Sequence, residues 1–223
     1  TRAKLYPAFN DPDLEKQWHY INIGDTSVFS GVKKGADINA GEAWDITAGD
    51  KRIIVAVIDN VVKPTHPDLA ANMWVNEAEK NGVAGKDDDG NGYVDDINGV
   101  NFVTHQVDGS ITLVENLSDH GTHVGGTISA VNNNGIGVAG VAGGDGTPGS
   151  GIKMISVQVF DSRSGSGDAD FAAALVYAAE RGATIAQCSW GWGSADYKEQ
   201  SVLDAIDYFT DAARSENMNG GLC

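Results

Sequence analysis

The stretch Ile53-Ile54-Val55-Ala56-Val57-Ile58 is a continuous apolar run that stops at Asp59. Successive side chains of a strand point to opposite faces, so a run that is apolar at every position is typical of a strand covered on both sides. Parallel sheets provide this environment, because their crossover helices lie on both faces. The stretch therefore predicts a central strand of a parallel sheet, with Asp59 at its carboxyl end.

The other regular patterns alternate between strand and helix. Further strands are expected over residues 152–160 and 184–190, and helices over residues 38–47, 120–131, 170–181 and 198–215. This order implies an α/β fold with a mainly parallel sheet and right-handed crossovers. We predict a single domain over residues 1–223, with an N-terminal arm over 1–50 and a long polar loop region over 63–118 that a metal orders.

The charge balance argues against nucleic acid as a partner. The chain carries 15 basic and 31 acidic residues, a formal net charge of −16, and it has no basic stripe to neutralise phosphates. Bound cations would relieve the repulsion among the acidic groups. No apolar run reaches the roughly 18 residues that a membrane span needs. The two cysteines, Cys188 and Cys223, are too few for a disulfide framework, and Cys188 is predicted to be a small buried hydrophobic residue.

A histidine and an aspartate are the strongest candidates for chemistry. His120 begins a predicted helix whose first turns are rich in the small residues Gly and Thr, which allow close packing against a sheet. An imidazole there suits proton transfer near neutral pH. Asp59 ends the central strand, where a carboxylate can accept a hydrogen bond from an imidazole and fix its tautomer. Either residue alone is more often structural, but the pair is much more specific.

The chain resembles the subtilisin-like serine proteases in five segments, residues 57–59, 66–69, 120–127, 164–167 and 189–191. The resemblance implies a three-layer α/β/α fold in which Asp59 orients His120 and His120 acts as general base and acid. It also implies two backbone edges that clamp an extended peptide substrate, formed by Gly165, Ser166, Gly167 and by Ser189, Trp190, Gly191. From the residues alone, residues 165–167 could equally be a flexible loop.

Two departures from the family pattern bear on activity. Asn60 and Val61 follow Asp59, where the family usually has Ser or Thr and then Gly. A Gly-Thr-Ser-x-Ala-x-Pro segment, which would hold the nucleophile, does not occur. We therefore expect residues 1–223 to be the N-terminal portion of a truncated protease domain that is inactive alone. An alternative is a catalytically dead, calcium-binding interaction protein, and an incomplete sheet would expose an edge suited to self-association.

The acidic loop at residues 87–96 predicts a Ca²⁺ site. Oxygen-bearing side chains at loop positions 1, 3 and 5, a Gly at position 6 and a backbone carbonyl at position 7 match the start of an EF-hand-like loop. Asn98 stands where the usual Glu is expected, and Asp95 or Asp96 would close the site instead. The predicted ligands are Asp87, Asp89, Asn91, Tyr93 and Asp96. The alternative is a solvated acidic turn, but five aspartates in ten residues repel one another without a cation.

The resemblance implies a second Ca²⁺ site around residues 131–138, which the residues alone would mark only as an Asn/Gly turn. Its implied ligands are the backbone oxygens of Val131, Ile136 and Val138, the amide oxygen of Asn134, and the carboxylates of Asp11 and Asp68.

The string Gly135-Ile136-Gly137-Val138-Ala139-Gly140 mimics a dinucleotide-binding fingerprint, but its glycines follow a helix instead of a strand. A nucleotide-binding domain is therefore disfavoured. The resemblance to the subtilisin-like serine proteases implies part of a calcium-stabilised endopeptidase that acts on peptides or proteins, and that is secreted or held at the cell surface or in the periplasm.

Overall fold

The computed structural model describes residues 9–103, 118–160, 170–191, 193–194, 199–212, 214–215, 218–219, 221 and 223. Its regular elements are four sheet strands, β1 (Ile54–Asp59), β2 (Gly99–Asn101), β3 (Lys153–Gln158) and β4 (Ile185–Gln187), a small hairpin of β5 (Arg214–Ser215) and β6 (Met218–Asn219), and five helices, α1 (Ala40–Trp44), α2 (Glu77–Lys80), α3 (His120–Ser129), α4 (Phe171–Glu180) and α5 (Gln200–Ala212). Two 3-10 turns cover Leu14–Lys16 and Ala70–Asn72.

The four sheet strands are parallel and lie in the order β2-β3-β1-β4. The predicted central strand is confirmed, because β1 pairs on both sides and is buried from Val55 to Asp59. In register, Asp59 lies opposite Gln158 and Val57 opposite Gln187. The carboxyl ends of three strands therefore meet at the edge of the sheet that holds Asp59.

Helices α4 and α5 share a hydrophobic core with β1 and β3, and its largest fully buried members include Ile58, Ile155, Leu175, Tyr177 and Phe209. Helix α4 begins where the Asp170 side chain accepts a hydrogen bond from the backbone N–H of Ala173. It ends before Gly182, whose φ of +79° allows the left-handed turn that closes a helix. These caps explain why the predicted helix over residues 170–181 forms.

The chain divides into two compact units, residues 1–51, 65–72 and 126–152 in the first, and the remainder in the second, which contains the sheet. The first unit has its own small core, which includes Tyr20, Trp44 and Ala139. Within it, the Tyr20 hydroxyl donates to Thr127 O at 2.9 Å and the Trp44 indole donates to Val141 O at 2.8 Å. The single domain expected over residues 1–223 stays a prediction.

Among the described helices, none combines the length and the apolar character that crossing a membrane requires.

Candidate active site and cation sites

Asp59 and His120 are in direct contact. Strand β1 ends at Asp59 and helix α3 begins at His120, and Oδ1 of the aspartate lies 2.7 Å from Nδ1 of the histidine. A carboxylate only accepts hydrogen bonds, so Nδ1 is the donor and the lone pair of Nε2 remains open. The aspartate is buried, whereas 52% of the His120 side chain is exposed. The pair therefore presents an oriented base to solvent.

The small residues of α3 allow this contact. A Cβ added at Gly121 would collide with the backbone oxygen of Asn60, and one at Gly125 would lie 3.0 Å from Cγ1 of Val62. A larger side chain at Gly121 would push the start of α3 away from the loop that follows β1. The glycines after His120 thus set the close approach that brings its ring to Asp59.

Asn60 connects three segments around the pair. Its Nδ2 donates to Phe160 O at 3.0 Å, and its Oδ1 accepts from the Ser118 hydroxyl at 2.9 Å. Ser118 Oγ in turn accepts from the His120 backbone N–H at 3.3 Å. Sequence reasoning treated Asn60 only as a departure from the family pattern and did not identify this bridge. The sequence signal for this bridge is Ser118, two residues before His120, because Ser is favoured at the start of a helix.

The predicted substrate edges are only partly described. Gly165, Ser166 and Gly167 lie outside the described residues. Ser189, Trp190 and Gly191 directly follow β4, and the Trp190 indole donates to Ile58 O at 2.7 Å. Its ring packs against Phe160 and Phe171, with centroids 5.8 and 4.7 Å away. Trp190 is therefore anchored beside the carboxyl end of β1, one residue before Asp59.

Three carboxylates gather at the first candidate cation site. Glu79, Asp89 and Asp96 each place an oxygen within 4.8 Å of the others. Glu79 and Asp96 are buried. Sequence reasoning missed Glu79, which lies on α2 outside the acidic loop, so no loop-spacing rule points to it. An all-oxygen set of this kind fits a hard cation such as Ca²⁺.

The remaining predicted ligands shape the acidic loop. The Asp87 carboxylate accepts the backbone N–H groups of Gly90, Asn91 and Gly92, and these bonds, chiefly that from Gly92, hold its pKa below the usual value. Asn91 Nδ2 donates to Asp96, and the Tyr93 backbone N–H donates to Asn91 Oδ1. Asp87, Asn91 and Tyr93 thus fold the loop around the cluster.

Side chains from outside the acidic loop donate hydrogen bonds to the carboxylates of the first cation site. Asn76 Nδ2 donates to Asp89 at 2.9 Å and to Asp96 at 2.8 Å, and the Tyr177 hydroxyl donates to Asp96 at 2.7 Å. Arg181 Nη1 lies 3.2 Å from Asp89 Oδ2. Burial raises the pKa of Asp96 in spite of these donors, and the charge of Asp89 adds to the rise. Ionisation of Asp96 is therefore less favourable than that of a solvated aspartate.

Two buried aspartates organise the second candidate cation site. Asp68 accepts Asn134 Nδ2 at 2.8 Å and the Val138 N–H at 3.0 Å, while Asp11 accepts the backbone N–H groups of Asn133 and Asn134 at 2.8 and 3.2 Å. Burial raises the pKa of Asp11, and the charge of Asp68 contributes to the rise.

The loop of this second site approaches its carboxylates closely. Gly137 has a φ of +50°, and a Cβ there would lie 2.5 Å from Asp68 Oδ2. Within the described part of the chain, no basic side chain forms an ion pair with Asp11 or Asp68. The structure thus brings both predicted carboxylates to the loop that contains Val131, Asn134, Ile136 and Val138, and the donor set fits Ca²⁺.

Comparison with known proteins places the chain in a family. The sequence model of the Subtilase family matches residues 50–219. Subtilisin-like protease 1 of Plasmodium vivax is 51% identical over 89 residues, which cover 40% of this chain and 13% of that protein. The halolysin-like extracellular serine protease Nep of Natrialba magadii is 30% identical over 154 residues, 69% of this chain and 23% of that protein. The chain thus aligns with less than a third of either relative.

The fold has a counterpart among solved structures. The serine protease of Aeromonas sobria, solved with its chaperone ORF2, superposes with a TM-score of 0.60 at 23% identity, covering 90% of this chain and 30% of that one. The parallel sheet with its helices accordingly adopts the three-layer α/β/α architecture predicted above. Because the family model covers most of its length, the chain belongs to the subtilase family.

Proposed function

We propose that this chain supplies the acid and the base of a serine endopeptidase that hydrolyses peptide bonds. The observation that carries the proposal is the 2.7 Å contact between Asp59 Oδ1 and His120 Nδ1 at the carboxyl end of the central strand. Membership of the subtilase family supports the same reaction.

The mechanism follows from the orientation of the imidazole. His120 Nε2 takes the proton from a serine hydroxyl as its oxygen attacks the scissile carbonyl, and later donates that proton to the leaving amine. The transient imidazolium keeps its Nδ1–H bond to Asp59, whose negative charge stabilises it. Burial of Asp59 removes competing water, and the backbone N–H of Asn60 also donates to Oδ1 at 2.7 Å.

Substrate would bind along two backbone edges, as an added strand on each side. We propose Ser189, Trp190 and Gly191 for one edge and Gly165, Ser166 and Gly167 for the other. The anchoring of the Trp190 indole to Ile58 O supports the first assignment, because it fixes the segment beside β1.

Because the nucleophile motif does not occur among the 223 residues, we propose that the chain alone does not hydrolyse peptides. The purified chain should therefore remain unlabelled by a fluorophosphonate probe, with an active subtilase as the positive control. Intact mass spectrometry provides the readout. Stoichiometric labelling of the 223-residue chain at a serine would contradict this part of the proposal.

The alternative, a catalytically dead interaction protein, rests on the Asn60 and Val61 that follow Asp59. Asn60 bonds to Ser118 and Phe160 around the pair, which supports the peptidase proposal. Replacing Asn60 by Ala removes both bonds and should lower the free energy of unfolding by about 1–2 kcal/mol. Asn60→Ala and Ser118→Ala each remove the hydrogen bond between Ser118 and Asn60. Urea unfolding of the two single variants and the double variant should therefore give a coupling energy between the two positions of roughly 0.5 kcal/mol or more. Strictly additive effects would show that the bridge does not form.

We further propose that Ca²⁺ binds at both cation sites. Glu79, Asp89 and Asp96 with the loop residues Asp87, Asn91 and Tyr93 would hold one ion, and Asp11 and Asp68 with the loop at residues 131–138 would hold the other. Bound Ca²⁺ supplies charge neutralisation and cross-linking of loops and takes no part in the chemical step. Four carboxylates of the two sites are buried, Glu79, Asp96, Asp11 and Asp68, and within the described residues none of the four forms an ion pair with a basic side chain, which supports both sites.

Asp96→Asn should melt above wild type in chelator and below wild type in Ca²⁺. The pKa of folded Asp96 is raised above its ordinary value of 3.8. In chelator, the stabilisation that protonated Asp96 gives to the folded chain is therefore fully present below pH 3.8. It is lost as the pH rises through the raised pKa that Asp96 has in the folded chain. At neutral pH in chelator the variant should melt about 2–4 °C above wild type, the equivalent of roughly 1 kcal/mol. In Ca²⁺ it should melt below wild type, because a ligand is lost.

Differential scanning fluorimetry at several pH values measures both conditions, with the exposed Asp45→Asn as the matched control. A variant that melts below wild type by the same interval in chelator and in Ca²⁺ would rule out a cation at Asp96.

Export from the cell remains part of the proposal, and the halolysin-like relative described as extracellular supports it. Self-association through a free sheet edge stays a prediction.

A further inference from the structure

A hydroxyl group in the first turn of α3 bonds to the loop that follows β1. The Thr122 hydroxyl donates a hydrogen bond to Val61 O at 3.2 Å. The same oxygen accepts a hydrogen bond from the backbone N–H of Lys63 at 3.1 Å. Thr122 therefore bridges the backbone on both sides of Val62, and it lies only two residues after His120.

The middle of the same loop is held by the sheet. The Val62 N–H donates to Ser156 Oγ at 3.0 Å, and both residues are fully buried. Ser156 belongs to β3 and lies opposite Val57 of β1 in register. Breaking a buried backbone bond of this kind leaves a polar group without a partner, so the loop has a fixed position on the sheet. Through Thr122, helix α3 is bonded to that fixed loop.

Asp59 and His120 are located at the two ends of this connection. Asp59 is the last residue of β1 and leads directly into the loop, whereas His120 is the first residue of the helix that the loop holds. Their 2.7 Å contact therefore depends on where the first turn of α3 lies relative to the loop. Gly121 permits a close approach, because it has no side chain to collide with the loop. The two bonds of Thr122 fix the approach that Gly121 permits.

We infer that Thr122 is a positioning residue for His120, whose two hydrogen bonds to the loop hold the imidazole where its Nδ1 donates to Asp59. The inference rests on the proposed function, because it concerns the base of that site. Thr122 acts through the backbone of α3 and does not contact the reacting atoms. The hydroxyl is the part of the side chain that matters, so serine should replace threonine here and valine should not.

Three variants separate positioning from a contribution to stability alone. Thr122→Val keeps the shape of the side chain and removes both bonds, whereas Thr122→Ser keeps the hydroxyl. Thr184→Val is the matched control. Thr184 is fully buried and its hydroxyl donates to Ile54 O at 3.4 Å, at the opposite end of β1 from Asp59. The control thus loses a buried hydroxyl-to-carbonyl bond to the same strand without any change in the loop.

The readout is the tautomer of His120 in the 223-residue chain, measured by nitrogen-15 NMR at a pH where the ring is neutral. In Thr122→Val we expect the ratio of the Nδ1–H to the Nε2–H tautomer to fall at least about three-fold, the effect of one ordinary hydrogen bond. Amide hydrogen exchange at Lys63 should accelerate at least about ten-fold, because its acceptor is lost. Thr122→Ser and Thr184→Val should both keep the wild-type tautomer ratio, although Thr184→Val should melt at a lower temperature.

The outcomes distinguish this inference from the proposed function. A Thr122→Val chain with faster exchange at Lys63 and an unchanged tautomer ratio would overturn the inference and leave the pair of Asp59 and His120 intact. An equal fall in the ratio in Thr184→Val would also overturn it, because stability alone would then explain the effect. A wild-type ring protonated on Nε2 would instead count against the proposed function.

Thr122→Ala is the second variant should Thr122→Val fail to fold. The smaller side chain leaves room for water to bond to Val61 O and to the Lys63 N–H, so this variant loses less stability. The bonds to the helix are absent all the same, and we expect the same fall in the tautomer ratio. A wild-type ratio in a folded Thr122→Ala chain would refute the positioning role.

Discussion

Asp59→Asn is expected to lower kcat/KM for peptide hydrolysis by about 10⁴-fold in any form of the protein that includes a serine nucleophile. An asparagine amide can donate to Nδ1 of His120, which would favour the tautomer with its proton on Nε2. That tautomer cannot accept the proton of a serine hydroxyl, so the base is lost although the ring stays in place. Steady-state kinetics on a chromogenic peptide, with the protein concentration corrected for the folded fraction, gives the ratio of kcat/KM between wild type and variant.

Asp119→Asn is the matched control for this experiment. It makes the same isosteric change one residue before His120, but the Asp119 side chain is exposed. We expect the control to stay within three-fold of wild type. An Asp59→Asn variant that retains more than a tenth of the wild-type kcat/KM would mean that the Asp59–His120 contact has no catalytic role.

Removal of Ca²⁺ is expected to lower the thermal midpoint of this chain by about 5–15 °C for each site that is saturated at 100–1,000 times its Kd. The reason is the burial of Glu79 and Asp96 at one site and of Asp11 and Asp68 at the other, because the carboxylates within each site repel one another without a cation. Melting in excess EGTA and after Ca²⁺ is restored measures the difference, and isothermal titration calorimetry counts the ions bound.

Asp68→Asn distinguishes the two sites, because it removes a carboxylate from the second site and leaves the acidic loop unchanged. The variant should bind one Ca²⁺ fewer than wild type and lose part of the Ca²⁺-dependent increment. Mg²⁺ serves as the ion control, since its strict octahedral geometry suits these loops less well. An unchanged midpoint in EGTA, together with no calorimetric binding, would contradict both calcium proposals.

The sequence was sufficient where a single physical rule governed the outcome. A short apolar run that ends at a charged residue is typical of a strand covered on both faces, which is why β1 and the position of Asp59 could be predicted. The glycines after His120 likewise indicated a close approach, and Gly121 does approach the backbone of Asn60. Both features depend on residues that are adjacent in sequence.

Features that depend on distant residues could not be predicted in this way. Strand β2 is only three residues long and begins at Gly99, whose φ is +135°, so neither alternation nor β-propensity marks it. Glu79 lies on a four-residue helix that is typical of an exposed turn, and only tertiary packing buries it. The second cation site came from the family resemblance, because Asp11 and Asp68 are far in sequence from the loop that they hold.

The protonation of His120 itself tests the central claim most directly. Nitrogen-15 NMR of the neutral imidazole, with His120 assigned by comparison with His120→Gln, distinguishes a proton on Nδ1 from one on Nε2. In the wild-type chain we expect the Nδ1–H tautomer, and in Asp59→Asn we expect the Nε2–H tautomer to predominate. A wild-type ring protonated on Nε2, or a tautomer that does not change when Asp59 is replaced, would contradict the account.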